Sequence, residues 1–215
     1  MPTRKIIIVG CGGFAREVVW ALAECNVDSE VIGFLDDSDV LQGTSLDSIP
    51  VLGRVYDWPR FSNADFVVAV GSPRIRHGIV CRMRESGDPR FATVIHSSAR
   101  LSRCVRVGAG SILTAGCVIT TGIELGEHVI LNLNSTIGHD ALVGDFCTIA
   151  PMVAISGNVR LGPGTEVGTG ACLREGITMG RGSMAGMGAV VVRDVAERDL
   201  VVGNPARVMR QLAEF

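Results

Sequence analysis

The stretch LNSTIGHDALVGDF, residues 133–146, places a histidine next to an aspartate in a run of small, apolar and turn-forming residues. An imidazole titrates near neutral pH, and a neighbouring carboxylate can fix its tautomer and increase its basicity. Such a pair can take a proton from an amine or hydroxyl that attacks an acyl carbonyl. His139 and Asp140 are therefore a candidate general base and acidic helper. The alternative is that they form only a polar corner, because a lone histidine in a scaffold is usually structural or merely exposed.

A second candidate site is a glycine-rich turn near the start of the sequence. The residues KIIIVG predict a buried strand, and Gly10, Gly12 and Ala15 then fit the dinucleotide-binding pattern, with Asp36 roughly 20 residues further on. Free N–H groups at a helix N-terminus attract anions, which favours a phosphate or nucleotide here. Only about 95 residues precede the repeat described below, which is half of a doubly wound fold, so a nicotinamide site is not indicated. A purely structural glycine turn is the alternative.

The other histidines give weaker signals. His96 ends a strand at a domain junction and is interpreted as structural, whereas His128 occupies an outward repeat position and His77 lies in a predicted helix, so both are expected at the surface. No group of histidines and carboxylates has the spacing of metal ligands, so we expect no catalytic metal.

The second half of the sequence repeats every six residues. An apolar residue returns at each sixth position from Val107 to Val191 without a break, and glycine often follows it, which suits a chain that turns sharply after each short strand. An amphipathic helix does not fit, because a six-residue period drifts off a 3.6-residue face. The pattern predicts a parallel β-helix in which three units complete one coil, and fifteen units make about five coils.

The first half alternates strands and helices. Helices are predicted from about Phe14 to Cys25 and over SPRIRHGIVCRMRESG, and further strands over VIGFLDD, ADFVVAVG and FATVIH. This order predicts a parallel sheet whose ligands bind at the strand C-termini, where the glycine turn, Asp36, Asp37 and Gly71 would share one rim. The predicted domains are an α/β unit at 1–96, a β-helix at 97–200, and a closing segment at 201–215 with a turn and a short helix from Ala206 to Ala213.

Composition excludes several classes of partner. The net charge is −2 and no basic patch stands out, so nucleic acid is not an expected partner. No stretch approaches the ~20 apolar residues of a membrane span, and the opening residues do not form a signal peptide. The seven cysteines are an odd number without a CxxC pair, which favours reduced thiols and a cytoplasmic location.

The motifs together resemble one acyltransferase family. The sequence combines a Gly-rich α/β unit that contains FLDD and AVGS, then VIH, then the unbroken hexapeptide β-helix (the prism) that contains GHD, and finally GNPARV near the end. This combination is similar to that of the bacterial sugar acetyltransferases. That family comprises UDP-N-acetylbacillosamine and perosamine N-acetyltransferases and the sialic acid O-acetyltransferases. The resemblance spans nearly the whole sequence and implies a left-handed β-helix.

The resemblance also implies a homotrimer with acetyl-CoA in the groove between two prisms. It gives His139 as general base and Asp140 as its helper, in N-acetylation of a nucleotide-linked amino-deoxy-sugar for cell-surface polysaccharide or glycan synthesis. Phe14 stands where several relatives carry histidine. The implied nucleotide-sugar contacts are Gly12, Gly13, Phe14, Asp36, Asp37 and Gly71, and the implied acetyl-CoA contacts are Thr148, Thr169 and Met187.

Several alternatives stay open from the sequence. The acceptor can be a hydroxyl, as in sialic acid O-acetylation, or the protein can be a non-catalytic nucleotide-binding scaffold. An N–H near Gly138 or Gly157 is expected to stabilise the oxyanion. Direct attack is favoured over an acetyl-cysteine, because Cys117, Cys147 and Cys172 are expected to lie in a buried register.

Overall fold

The structure is a computed structural model that describes residues 3–25 and 28–215. Its first part is a layered α/β unit that contains β1 (Arg4–Val9), α1 (Gly13–Ala23), β2 (Ser29–Leu35), β3 (Ser45–Leu46), β4 (Ile49–Gly53), β5 (Asp65–Val68) and α2 (Pro73–Glu85), with 3₁₀ segments Asp39–Leu41 and Val55–Phe61. The strands form one sheet in the order β3-β4-β2-β1-β5, parallel except for a β3–β4 hairpin. Ile6–Val9 of β1, between β2 and β5, are fully buried, as expected for a parallel strand covered on both faces.

The α/β unit confirms the predicted parallel sheet and two helices and adds details that the sequence did not indicate. The β3–β4 hairpin and the 3₁₀ segment Val55–Phe61 were not predicted, because both are short and lack a clear periodicity. The predicted strand FATVIH is divided between the two units: Phe91 forms a parallel bridge with Phe66 of β5, and Val94–Ile95 pair with Ile112–Leu113 inside the β-helix. Neither helix in the described part of the chain has the length and apolar character needed to cross a membrane.

The second part is a parallel β-helix of seventeen two-residue strands, in which each strand up to Cys172–Leu173 pairs with the one eighteen residues later. Ile119, Ile137 and Ile155 show the rule: they are paired neighbours whose side chains are all buried in the prism. The strands β6 to β22 are Val94–Ile95, Arg100–Leu101, Arg106–Val107, Ile112–Leu113, Val118–Ile119, Glu124–Leu125, Ile130–Leu131, Thr136–Ile137, Leu142–Val143, Thr148–Ile149, Ala154–Ile155, Arg160–Leu161, Glu166–Val167, Cys172–Leu173, Thr178–Met179, Met184–Ala185 and Val190–Val191.

The three sheets of the prism present three different outer faces. The covered face, with β6, β9, β12, β15, β18 and β21, lies against the α/β unit, and its outward residues Ile112 and Ile130 are buried there. The charged face, with β8, β11, β14, β17 and β20, exposes an Arg106–Glu124 ion pair and Arg160. The uncharged face, with β7, β10, β13, β16, β19 and β22, carries the outward residues Val118, Thr136, Ala154, Cys172 and Val190 after Arg100 at its start.

The glycines that follow the inward apolar residues have a different role from the predicted one. They do not make the turn: a Cβ on Gly138 would lie 2.6 Å from the Gly157 nitrogen of the next coil. The turn is made two residues later, by a residue with positive φ such as Gly116 or Asp140. The periodic glycine is therefore needed because successive coils approach each other closely there. The turn residue with positive φ is a separate position in each unit.

The predicted C-terminal helix is wrong. Ala206–Gln211 form a strand, β24, which pairs antiparallel with β23 (Asp199–Gly203). β23 in turn pairs with the last strand of the covered face, so the hairpin extends that sheet by two strands. The open edge of the last coil offers unpaired backbone groups, and pairing with them stabilises a strand more than an isolated short helix would be stabilised.

Arg76 of α2 joins the α/β unit to the prism. Its side chain is fully buried, and it donates to the backbone oxygens of His128 (3.0 Å), Phe146 (2.7 Å) and Cys147 (3.2 Å) in the covered face. No carboxylate pairs with it in the part of the chain that the structure describes; burial lowers its pKa to about 10, so it remains charged at neutral pH. A buried cation that satisfies several carbonyls makes the junction specific and intolerant of change.

His128 is buried, which corrects the prediction that it is exposed. Its ring is stacked on Phe146 at 5.1 Å and meets the edge of Phe91 at 4.5 Å, and neither ring nitrogen has a partner among the described residues. His77 is half-buried against Phe146 and Phe215 at 4.9 and 5.0 Å, so it is not a surface residue either. His96 is buried with Nδ1 accepting from the Ser98 amide, in agreement with a structural role.

The burial of His128 makes the fold sensitive to acid. Burial, together with the smaller effect of the nearby Arg84 and Arg76 charges, lowers the pKa of His128 to about 3, whereas the unfolded chain takes up the proton near pH 6.5. Between these values the unfolded state binds more protons, so the free energy of unfolding falls as the pH falls. We expect a loss of about 2 kcal/mol from pH 7 to pH 5 through this residue, measured by chemical unfolding.

The control for this prediction is His128→Phe, because Phe146 adopts the same positive φ at the equivalent turn one coil later. The variant keeps an aromatic ring in the stack and cannot be protonated. Its stability should fall less than that of the wild type between the two pH values. Equal losses for the two proteins would show that His128 does not contribute to acid sensitivity.

Candidate active site

The turn after β13, which forms the corner of the prism between the uncharged and charged faces, brings His139 and Asp140 into contact. Nδ1 of His139 lies 2.9 Å from Oδ2 of Asp140, and both side chains are more than half exposed. Neighbouring residues on a strand point to opposite sides, but Asp140 has φ of +59° and turns its carboxylate to the side of the imidazole. The hydrogen bond at Nδ1 leaves Nε2 facing solvent, where it has no partner among the residues described.

Gly157 in the next coil lies directly beneath the His139 ring. A Cβ at this position would lie 2.6 Å from both Cε1 and Nε2 of His139. The backbone does not require glycine there, because Thr121 and Glu175 occupy the same corner place in other coils. The glycine is therefore needed by the imidazole, a role that the six-residue pattern could not reveal because it lies between two coils.

The backbone around the pair distinguishes the two candidate oxyanion donors. The N–H of Gly138 donates to Ile155 O at 2.8 Å as part of the stacking of coils, so it is not available. Asn158 N donates to His139 O at 2.8 Å and Asp140 N to Thr121 O at 3.0 Å, which fixes the corner. The Gly157 N–H has no acceptor within the described ranges and is the donor that remains.

The predicted rim of the α/β unit is formed, and its carboxylates already accept hydrogen bonds from other residues of the same unit. Gly12 and Gly13 are exposed at the start of α1, and Phe14 packs partly against the core. The carboxylate of Asp36 accepts from Cys11 N at 2.8 Å and Ser38 N at 2.9 Å, so it holds the glycine turn in place.

Asp37 and Gly71 complete this rim, and both accept hydrogen bonds from other residues of the protein. The carboxylate of Asp37 accepts from Val55 N at 2.9 Å and pairs with Arg82 at 3.4 Å. Gly71 O accepts from Arg76 Nη1 and from Thr148 Oγ1. The six residues predicted to bind the nucleotide sugar are thus on adjacent strand ends, as expected for this sheet.

The three residues implied as acetyl-CoA contacts are not together. Thr169 and Met187 stack in successive coils on the corner between the covered and uncharged faces, where Gly188 N donates to Thr169 O and Met187 is 78% exposed. Thr148 lies on the covered face at the junction, where its hydroxyl donates to Gly71 O at 2.7 Å.

The sequence did not predict a role for Arg76, because its charge suggested a solvent-facing residue. Its spacing from Ile79, Val80 and Met83 nevertheless places it on the buried helix face.

No thiol among the described residues lies next to His139: the exposed Cys104 is on the same corner but two coils earlier, about 10 Å along the prism. Burial raises the pKa of Cys117 to about 11 and that of Cys147 to about 12, so neither forms a thiolate at neutral pH. Cys172 is exposed on the uncharged face, which corrects its predicted buried register, but it lies two strands from β13 and hence about 10 Å away along the prism. No cluster of three His, Cys, Asp or Glu residues in the described ranges could hold a metal ion.

A hexapeptide β-helix with a histidine-acid pair on a corner and an α/β unit on one face defines a class of acyltransferases. The family model of the PglD N-terminal domain matches residues 5–83. The acetyltransferase domain of PglB from Neisseria gonorrhoeae FA1090 is 36% identical, with a TM-score of 0.89 over 96% of this chain and 100% of that domain. The same domain has been solved in complex with acetyl coenzyme A.

Two further solved structures are similar over nearly the whole chain. PerB from Caulobacter crescentus, in complex with CoA and GDP-perosamine, is 30% identical with a TM-score of 0.88, over 96% of this chain and 97% of PerB. WeeI from Acinetobacter baumannii AYE is 29% identical with a TM-score of 0.85, over 96% of this chain and 100% of WeeI. Comparison with curated protein sequences gave no match. The chain belongs to the hexapeptide family of sugar N-acetyltransferases that includes PglB and PerB.

The contact between His139 and Gly157 gives a direct structural prediction. In Gly157→Ala the added methyl group must displace the imidazole by about 1 Å to reach an ordinary contact, and the half-exposed ring can move into solvent. We expect a folded protein in which the separation of Nδ1 and Oδ2 exceeds 3.5 Å, measured in a crystal structure of the variant. In a His139→Ala background the same substitution should not lower the unfolding midpoint, because no ring is displaced and alanine restricts the unfolded chain more than glycine does. An unmoved imidazole in Gly157→Ala would contradict this account of the glycine.

Proposed function

We propose that the protein is an acetyl-CoA-dependent N-acetyltransferase that modifies the amino group of a nucleotide-linked amino-deoxy-sugar. The proposal rests on the His139–Asp140 pair over Gly157, in which Nε2 of His139 is free to take a proton from the amine that accepts the acetyl group. The names of the relatives supply the substrate classes: one is solved with acetyl coenzyme A and another with CoA and GDP-perosamine. The unpaired cysteines fit action in the cytoplasm, where glycan precursors with nucleotide groups would be modified.

The proposed reaction is a direct transfer. The neutral amine attacks the thioester carbonyl, the carbon–sulfur bond breaks, and Nε2 of His139 takes the proton that the amine loses. The protonated imidazole then returns this proton to the CoA thiolate. Asp140 holds Nδ1 and favours the tautomer with Nε2 as acceptor, and the Gly157 N–H is the proposed donor to the oxyanion. Within the described residues no thiol lies next to His139, which supports direct attack over an acetyl-enzyme.

The shape of the prism supports a site shared between copies of the chain. The uncharged face is bounded on one side by the corner of His139 and on the other by the corner of Thr169 and Met187. In a cyclic trimer one edge of this face meets the opposite edge in the next copy, because such contacts are heterologous. His139 of one copy would then face Thr169 and Met187 of another, with acetyl-CoA between them.

The activity is tested by mixing the protein with acetyl-CoA and a panel of acceptors: GDP-perosamine, UDP-linked 4-amino-sugars and sialic acid. We expect CoA release and a product 42 mass units heavier only with amino-sugars, because the mass of an acetyl group replaces a proton. His139→Ala should lower turnover by 10²–10⁴-fold while the protein stays folded. Transfer to a hydroxyl acceptor alone would indicate an O-acetyltransferase, and no transfer to any acceptor would indicate a binding scaffold.

The oligomer is tested by placing charge on the uncharged face. Ala154→Arg puts a guanidinium in the middle of this face, where desolvation in a trimer contact would be costly, so we expect monomers by sedimentation velocity. Thr178→Arg, on the charged face, is the matched control and should remain a trimer. A trimeric Ala154→Arg protein would show that another surface forms the contact.

A further inference from the structure

The loop from β5 to α2 is held to the prism through its carbonyl groups. Arg76 Nη1 donates to Val70 O at 2.6 Å and to Gly71 O at 3.0 Å. Thr148 Oγ1 donates to the same Gly71 oxygen at 2.7 Å and accepts from Arg76 Nη2 at 2.9 Å. The side chain of Arg76 is thereby shared between this loop and the backbone of the covered face.

The hydrogen bonds from Arg76 and Thr148 to the carbonyl groups determine where the amide N–H groups of the loop point. In a planar trans peptide the C=O and the N–H that follows it point in opposite directions. The carbonyls of Val70 and Gly71 face the guanidinium, so the N–H groups of Gly71 and Ser72 face away from it. Neither amide donates to another group within residues 3–25 and 28–215. Two hydrogen-bond donors are therefore presented at the rim, next to the start of α2.

We propose that Arg76 and Thr148 are positioning residues for the nucleotide sugar, which they align by fixing the Val70–Ser72 peptides between the rim and the prism. This inference rests on the proposed function, since it takes the rim as the nucleotide-sugar site. Their role is exerted through the amides of Gly71 and Ser72, and neither side chain needs to contact the sugar. It assigns Thr148 to the sugar side of the reaction, whereas the family resemblance gives this residue as an acetyl-CoA contact.

The geometry explains why these two residue types are needed. Arg76 reaches acceptors on both units at once because its planar fork carries five N–H groups, which a lysine ammonium cannot match. Thr148 supplies the hydroxyl that both donates and accepts, and a valine of the same shape would do neither. Loss of either contact frees the loop without removing any group that touches the acetyl donor.

The decisive experiment compares Thr148→Val with Thr148→Ser and Arg76→Lys. We expect Thr148→Val to raise the KM for GDP-perosamine or a UDP-linked 4-amino-sugar about five- to tenfold, with the KM for acetyl-CoA unchanged. Thr148→Ser keeps the hydroxyl and should restore the wild-type value, whereas Arg76→Lys should behave like Thr148→Val or worse. Arg84→Met, which removes a surface ion pair to Glu127 across the same junction, is the control and should match the wild type.

Calorimetric binding of the same nucleotide sugars separates this proposal from the activity. If the wild type binds a nucleotide sugar but transfers no acetyl group, the proposed function fails, and the dissociation constants of the Thr148 variants decide the positioning role. A rise in the KM for acetyl-CoA with an unchanged KM for the sugar in Thr148→Val would overturn the proposal. It is equally overturned if Thr148→Val binds the sugar as the wild type does, or if the wild type binds none of these sugars.

Discussion

The hydrogen bonds between each six-residue unit and the unit eighteen residues later determine the rest of the structure. They place every corner of one coil directly on the corner of the next, as in the bond from Asn158 N to His139 O. At that spacing no side chain fits between the His139 ring and the backbone below, so Gly157 is required. The orientation of the candidate base is thus set by the stacking of the scaffold and not by a separate catalytic loop.

The second constraint is the burial of Arg76 between the α/β unit and the prism, where it is the fully buried cation of their junction among the described residues. An unpaired guanidinium in this position is costly unless all its donors are satisfied, and here the acceptors come from both units. The rim and the prism are consequently held in one relative position. For a transfer between two bound substrates this matters, because errors of about 1 Å between reacting groups reduce the rate strongly.

The sequence predicted the architecture because the period of six is unbroken and the α/β alternation is regular. It also predicted the rim, since strand ends in a parallel sheet share an edge. It failed where the outcome depends on contacts between distant residues: the C-terminal strand pairs with the last coil, His128 is buried by Phe91 and Phe146, and Cys172 faces outward. The steric role of Gly157 and the burial of Arg76 also depend on contacts that no local pattern contains.

In the proposed reaction His139 accepts the proton of an amino group delivered from the rim. The decisive measurement is a crystal structure of the protein with CoA and a nucleotide-linked amino-sugar. We expect the sugar nitrogen within about 3.5 Å of Nε2 of His139, with the thiol of CoA on the other side of that nitrogen and the nucleotide on the Gly12–Gly71 rim. A sugar nitrogen more than about 6 Å from every His139 imidazole, with both ligands bound, would contradict it.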